Sequence, residues 1–577
     1  MFIFSQRYST IINLYLRFVV STLVGFFLLV HSSFSKEMIR GGILTAVPFY
    51  SDQHQYNFNP YELRSGAHYA RDFIYEPLWI FNPLNPESNF PRLATHYYWS
   101  ENYQELTFKL RQKVKFSDGE PFDADDVVFT ANMLKAHPEL SQSIDWFDEL
   151  TQTGNLLDVI KVNDLEVKFL FAKPDHLAHQ RIGKMYILPE HIWKKMVHPH
   201  QFSNRKPVGT GPFTEVKNFN KNKFQLCRNT YYWEEGKPYI DCMQFPQIKN
   251  HEQAVTQAAS GKIDWMNAVI ADIDRNFVQK NQNNKFWFFP TGQTSIVLDT
   301  NTHPFDILEF RQAMSMAIDR DYLLKVSQLS ISSSNVNQQS LGVFSNDKDN
   351  ANLGKFDYLF QYNQKQAAQL LTQSGFIDSN GDGFRENPDG TRLAFYISIS
   401  SERTDLVNVL IAVVEDLQDI GLNVRIQSAT QTQWIESVAL GKYPAYIQGF
   451  DEDIVDLSSI EHYVKTQQNS TKPISLVVVQ NSLQPLYDLI EQYHGIKTPS
   501  EQSKILSKIQ SLVSEQLPTI NLFSNAKSYQ YNDFYFEGWA NQANPFIRPS
   551  VQMGYPERAI HVLNLSLKTR PRYRIER

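Results

Sequence analysis

The sequence predicts an α/β protein of two unlike lobes. Three observations predict it. Beyond Phe289 apolar strands alternate with amphipathic helices, and glycines stop the helices. Before that point the chain reads as short period-two strands between Gly/Pro turns. The length of 577 residues exceeds what one core usually holds, so roughly three or four domains are expected.

The N-terminus comes first. Arg7 and Arg17 precede an apolar run from Phe18 to Val30, shorter than the roughly 20 residues a membrane span needs. Ser33 and Ser35 then place small residues before a cut at Lys36. Residues 1–35 are therefore expected to be a signal peptide and the mature chain to be exported and soluble. No Cys stands at the cut, which argues against a lipoprotein.

The first lobe opens with a strand at "GGILTAVPF". "ARDFIYEPLWIF" (Ala70–Phe81) has helical spacing and leads into a strand. In "ELTFKLRQKVKF", Leu106, Phe108 and Leu110 face one way and Thr107, Lys109 and Arg111 the other, as in a half-buried strand. A second strand follows at "DLEVKFLF". "KPVGTGPFTEV" is a Gly/Pro elbow, and "HEQAVTQAASGKIDWM" is a helix stopped by Gly261, then a strand.

"KFSDGEPFDADDVVFTANML" concentrates Asp118, Glu120, Asp123, Asp125 and Asp126. Asp118-Gly119 is a turn pair. Asp123 directly precedes a run with helical spacing, and Asp126 holds the capping-box position. Acids in a first turn also favour the positive end of the helix dipole. The stretch reads as scaffold rather than as a metal cage or a catalytic pair.

In the second lobe "TSIVLDT" is a strand, "EFRQAMSMAIDRDYLLKVS" one helix, and "QKQAAQLLTQSGF" a helix stopped by Gly375. "RLAFYISIS" is a strand. "DLVNVLIAVVEDLQDIGLNVRIQSA" and "TQWIESVALGKYPAYIQGF" each read helix, Gly, strand.

Several chemistries are disfavoured. A net charge of −6 argues against a nucleic-acid binder. Cys227 and Cys242 are the two cysteines. They flank a turn signal in an exported chain, which reads as one disulfide, and two thiols make a poor zinc site. "DSNGDGFRENPD" starts like a calcium loop with Asp378, Asn380, Asp382 and Gly383. Position 12 is Asp389 instead of Glu, so an Asp/Gly turn is the favoured reading. His176 and His179 read as exposed loop residues. The chain carries no HExxH, GxSxG or Walker A motif, so no enzyme and no cofactor is expected; an exported hydrolase is the remote alternative.

Three blocks resemble a known family. "RLATHYYWSENYQELTFKLRQKVKFSDGEPFDADDVVF", "PVGTGPF" and "EFRQAMSMAIDRDYL" resemble the bacterial extracellular solute-binding proteins of family 5, the oligopeptide/dipeptide-binding class of ABC importers. "RDFIYEPLWIFN", "PYIDCMQFPQI", "GKIDW", "ADIDR" and "YPERAIHVLNL" resemble the chitooligosaccharide binders within it, and both cysteines fall in matching places. The resemblance implies a two-lobed periplasmic-binding-protein fold of class C, with a small β domain inserted in the N-terminal lobe. The expected division is residues 36–75, 206–292 and 534–577 for the N-terminal lobe, 76–205 for the inserted domain and 293–533 for the C-terminal lobe.

It also implies a periplasmic, monomeric protein that closes over an oligosaccharide or oligopeptide and delivers it to an ABC permease. A membrane sensor kinase is the alternative partner. Trp539 matches a tryptophan that stacks on a sugar ring, with Ala540 in place of a second indole. Asp405 and Phe450 match cleft positions. Gln448 replaces an Asn, Arg403 stands where a Trp is expected, and Asn59 belongs to a kept "NFNP" preceded by Tyr56 instead of Arg.

Overall fold

The computed structural model describes residues 38–569 except 49–53, 63–67, 86–87, 138–139, 141–154, 176–177, 301, 328–353, 440, 450–483, 497–498 and 553–555. The expected signal peptide lies outside the described residues.

The main elements follow in chain order. They are β1 (Ile43–Val47), β2 (Ala94–Trp99), β3 (Glu105–Leu110), α1 (Ala124–Ala136), β4 (Leu156–Asn163) and β5 (Glu166–Phe171). Next come β6 (Phe213–Lys217), β7 (Lys223–Arg228), β8 (Cys242–Pro246), α2 (His251–Ala259), β9 (Trp265–Met266) and β10 (Asn284–Leu298). The second half holds α3 (Leu308–Ala317), α4 (Gln364–Gln373), β11 (Phe395–Ser400), α5 (Thr404–Asp419), β12 (Val424–Ala429), α6 (Gln431–Ala439) and β13 (Ala445–Gly449). It ends with α7 (Gln484–Gly495), α8 (Pro499–Gln516) and β14 (Thr519–Asn532).

One ten-stranded sheet runs through the molecule in the order β12-β11-β13-β10-β14-β9-β1-β8-β7-β6. Its centre is the antiparallel pair of β10 and β14, with register shifts between Pro290 and Gln293 and between Thr294 and Ser295. One half of this pair, through Trp287, Phe289, Tyr529 and Tyr531, belongs to an apolar core that also holds Leu44, Phe108, Phe169 and Trp193. The other half, through Ile296, Leu298, Ile520 and Leu522, belongs to a second core with Phe310, Ile397 and Val413. Two cores are thus joined by two long strands. A separate antiparallel sheet, β2-β3-β5-β4, packs on the first core.

Local chemistry explains the elements. Asp123 caps α1 by accepting from Asp125 N at 2.8 Å, and Asp126 reaches back to Asp123 N at 3.1 Å, completing the capping box. Asp126 also accepts from Glu190 N, which ties α1 to the following segment. Gly209 and Gly211 form the elbow because the chain presses on Ile74: a Cβ at Gly209 would meet the Ile74 carbonyl oxygen at 2.1 Å. Cys227 and Cys242 are register partners on β7 and β8 and form a disulfide.

Three expectations need correction. The segment from Glu309 to Ser327 is two helices rather than one. The chain breaks at Ile318, and Asp319 caps a new helix, Arg320–Val326, by accepting from Tyr322 N. The break buries Arg320, which donates to the Asn521 and Ser315 carbonyls. Of "ARDFIYEPLWIF" only Arg71–Ile74 is α-helical, and Tyr75 is extended. His179 is buried rather than exposed, on a short helix with its ring against Tyr97 and Phe81.

Candidate functional site

Strand direction locates the site. β1 is parallel to β8 and β9, and register places Val47 beside Met266, which pairs with Gln530 nearer the sheet centre than Trp265 with Tyr531. On the other side β11 is parallel to β12 and β13. β13 runs from Ala445 beside Leu298 to Gly449 beside Thr294. The carboxyl ends of six parallel strands, three from each half, therefore converge on the middle of β10 and β14. In open α/β sheets ligands bind beyond such ends.

On the N-terminal side these ends open into a cleft of about 370 Å³ lined by Val47, Pro48, His251, Asn267, Ala268, Val269, Lys527, Ser528 and Gln552. Its floor is pinned by amide side chains. Asn267 donates to the Ser528 carbonyl at 2.7 Å and accepts from Val551 N at 2.8 Å. Gln530 accepts from Ala268 N and donates to its carbonyl. On the C-terminal side Ser295 donates to Asn521 at 2.9 Å and Thr294 to Asn525 at 2.8 Å. The groups offered are amides, hydroxyls, the His251 imidazole and one amine, which suit hydrogen bonding in a cleft.

A larger groove of about 860 Å³ lies between α7 and α8, lined by Asp488, Gln492, Lys504, Lys508 and Glu515 among others. It sits on a helical hairpin away from the strand ends, so topology favours the smaller cleft.

The predicted residues separate into two groups. Gln448 lies at the carboxyl end of β13 opposite Ser295. Arg403, half-buried, directly precedes α5 beyond the carboxyl end of β11, and Asp405 stands in the first turn of that helix. All three stand at or just beyond carboxyl ends of strands of the second half. Phe450 lies outside the described residues. Trp539 is placed in the first core: it is 5% exposed, its Nε1 donates to the Phe536 carbonyl, and its ring packs on Tyr531 and His561. Asn59 is fully buried, donating to the Pro199 and Phe202 carbonyls and accepting from Tyr61 N.

Asn267, Lys527, Ser528 and Gln552 were not anticipated. Asn267 follows directly on a predicted strand, and the strand-end rule could have found it.

Asp378, Asp382 and Glu386 bring three carboxylates within 4.8 Å. Asp378 accepts from Gly381 N and Gly383 N, and Glu386 from Ser379 and Asn380. The loop's own donors thus occupy these oxygens, as the turn reading requires. Displaced titrations belong to scaffold. Burial pushes the Asp126 carboxyl up to about 7, and the His54 and His561 imidazoles down to about 4 and about 3.

The family model for bacterial extracellular solute-binding proteins, family 5 Middle, matches residues 90–471, more than half of the chain. The chain belongs to this family. Such proteins bind solutes and do not transform them. This solute-binding protein is 29% identical over 339 residues to the oligopeptide-binding protein AppA of Bacillus subtilis, covering 57% of this chain and 59% of that one. It thus spans less than two thirds of that relative. A periplasmic oligopeptide-binding protein of Thermotoga maritima shares its fold, with a TM-score of 0.78 at 22% identity over 92% of this chain and 99% of that chain. The mannohexaose-bound structure of the same Thermotoga protein gives 0.70 at 22% identity over 93% and 100%. The fold is the two-lobed periplasmic-binding-protein fold, of mixed α/β content. No described helix is long and apolar enough to cross a membrane.

Proposed function

We propose that this protein is the substrate-binding component of an ABC importer, capturing an oligosaccharide or oligopeptide outside the cytoplasmic membrane and delivering it to the permease. The observation that carries the proposal is that six strand ends, three from each half, point at the middle of the two strands that join two cores, with a cleft beside them on the N-terminal side. The lobes are proposed as residues 36–75, 206–292 and 534–577 against 293–533, with 76–205 as a small domain on the first. Ligand touching both sides binds the closed arrangement better than the open one. Differential affinity then shifts the hinge equilibrium, and the permease reads the closed form.

The relatives support both ligand classes: one is named for oligopeptides, and a fold neighbour binds mannohexaose. A thermal-shift panel on the chain from Lys36, with β-linked hexasaccharides and mixed short peptides, tests the proposal. Ligand at 100 times its Kd adds about 2.7 kcal/mol, which raises Tm by a few degrees. No shift with any sugar or peptide removes the importer reading. A membrane sensor kinase is the alternative reader of the closed form. Co-purification with a kinase and not with a permease would establish it.

A further inference from the structure

We infer that Lys527 is the seat of an anionic group in the cleft, so that the protein selects ligands that carry a carboxylate. The inference rests on the importer reading and adds to it the charge of the ligand and the residue that reads it.

The cleft on the N-terminal side is asymmetric in charge. Among the described residues that line it are one lysine and one histidine, and no Asp or Glu. Lys527 is half-buried on β14, in register with Phe289 of β10, on the strand pair that joins the two cores. His251 stands beyond the carboxyl end of β8, as the first residue of α2. Gln552 lines the same cleft.

The floor amides are committed to holding the backbone. Asn267 donates to the Ser528 carbonyl and accepts from Val551 N. Gln530 accepts from Ala268 N, and donates to the Ala268 carbonyl and the Ser528 hydroxyl. Above this floor the lining presents Lys527, His251 and Gln552. The lysine ammonium has three donors and no acceptor, and the imidazole and the amide each supply a donor as well. An ionised carboxylate is acceptor-only, so it can draw on all three. Its bonds to an ammonium are roughly twice as strong as bonds between neutral groups. Closure of the halves would strip water from the pair and strengthen it further.

Other charges of the region leave this asymmetry in place. Lys249 and Glu252, both exposed, flank His251 as one base and one acid. Glu402, Arg403 and Asp405 follow β11 on the second half and do not line this cleft.

Isothermal titration on the chain from Lys36 tests the seat with matched pairs of probes, Tm being measured in parallel. One pair is an oligogalacturonate and its methyl ester. The other is mixed tri- to pentapeptides of neutral side chains, with free and with amidated carboxyl ends. Mannohexaose and cellohexaose are the neutral references. The carboxylate member of one pair is expected to bind about tenfold more tightly than its neutral counterpart, equivalent to about 1.4 kcal/mol. Added salt should narrow that difference. Lys527→Met removes the charge and should abolish the difference, while Lys527→Arg should retain it. His251→Gln is the second variant should Lys527→Met fold poorly, and it should reduce the same difference. A response in the galacturonate pair assigns the carboxylate to an acidic sugar, and one in the peptide pair assigns it to a chain end. Equal binding within every pair, tighter binding of the neutral references, or an undiminished difference in Lys527→Met overturns the seat and leaves the importer reading intact. Binding of none of the probes overturns both.

Discussion

His561 shows how burial sets a residue's chemistry. Its ring is fully buried against Trp265, Tyr529 and Trp539, and its Nε2 accepts from Ala540 N at 3.3 Å. Burial holds its pKa at about 3, below the ordinary 6.5, so it stays neutral in the fold and takes a proton on unfolding. The unfolded chain binds more protons between those values. Stability is therefore lost as pH falls from 6.5 towards 3, by about 1.4 kcal/mol per pH unit for this one group. Asp126 and Asp416, held up at about 7 and about 6 by burial, act with the opposite sign: their contribution is lost as pH rises. The clean readout is thus a difference. His561→Gln is expected to be less stable than the natural protein at pH 7, and chemical denaturation should find the gap narrowing as pH drops to 4.5. A constant gap would exclude the buried neutral imidazole. Trp539 beside it marks a limit of legibility. The sequence shows an indole at a suggestive position, but whether an aromatic faces a cleft or a core depends on what packs behind it. The place of Gln448 near the end of a strand was legible, because the segment that carries it reads helix, Gly, strand.

Elements were read best where a short-range rule decides them. The Asp123/Asp126 box, the glycine stops at Gly261, Gly375 and Gly421, and the paired Cys strands each depend on neighbours within a few residues. The helix from Glu309 failed because apolar spacing runs unbroken through a break that tertiary contacts impose. Arg320 reaches the Asn521 carbonyl, and Asp319 both caps the second helix and donates its backbone N–H to Asp416. Asp319→Ala should cost about 0.5–2 kcal/mol, the usual loss for an N-cap. Thermal melts should show a lower Tm and titration an unchanged ligand affinity. An unaltered Tm would mean the break is maintained by Arg320 alone.

For the whole molecule, β10 and β14 join the two cores among the described residues, and both strands carry their irregular register at the middle. Motion of one core against the other is expected to concentrate at Pro290–Thr294 and the facing Ser524–Ala526. Small-angle scattering should find a smaller radius of gyration when a binding ligand is added. An unchanged radius with saturating ligand would rule out lobe closure. The alternation of strand and helix made the second core legible from sequence. The sharing of a single sheet by both halves was not, because β10 begins well before the change of style at Phe289, and pairing over more than 200 residues leaves no local trace.

The same pair of strands has a consequence for engineering. The chain enters the second half along β10 and leaves it along β14, with Ser295 and Asn521 side by side in register. The whole half is therefore a single uninterrupted excursion whose two ends are adjacent. It can be cut out and replaced by the corresponding stretch of a relative with just two splice points, both within paired strands. Chimaeras made there would carry one parent's second core on the other parent's first, and so show which properties travel with which core.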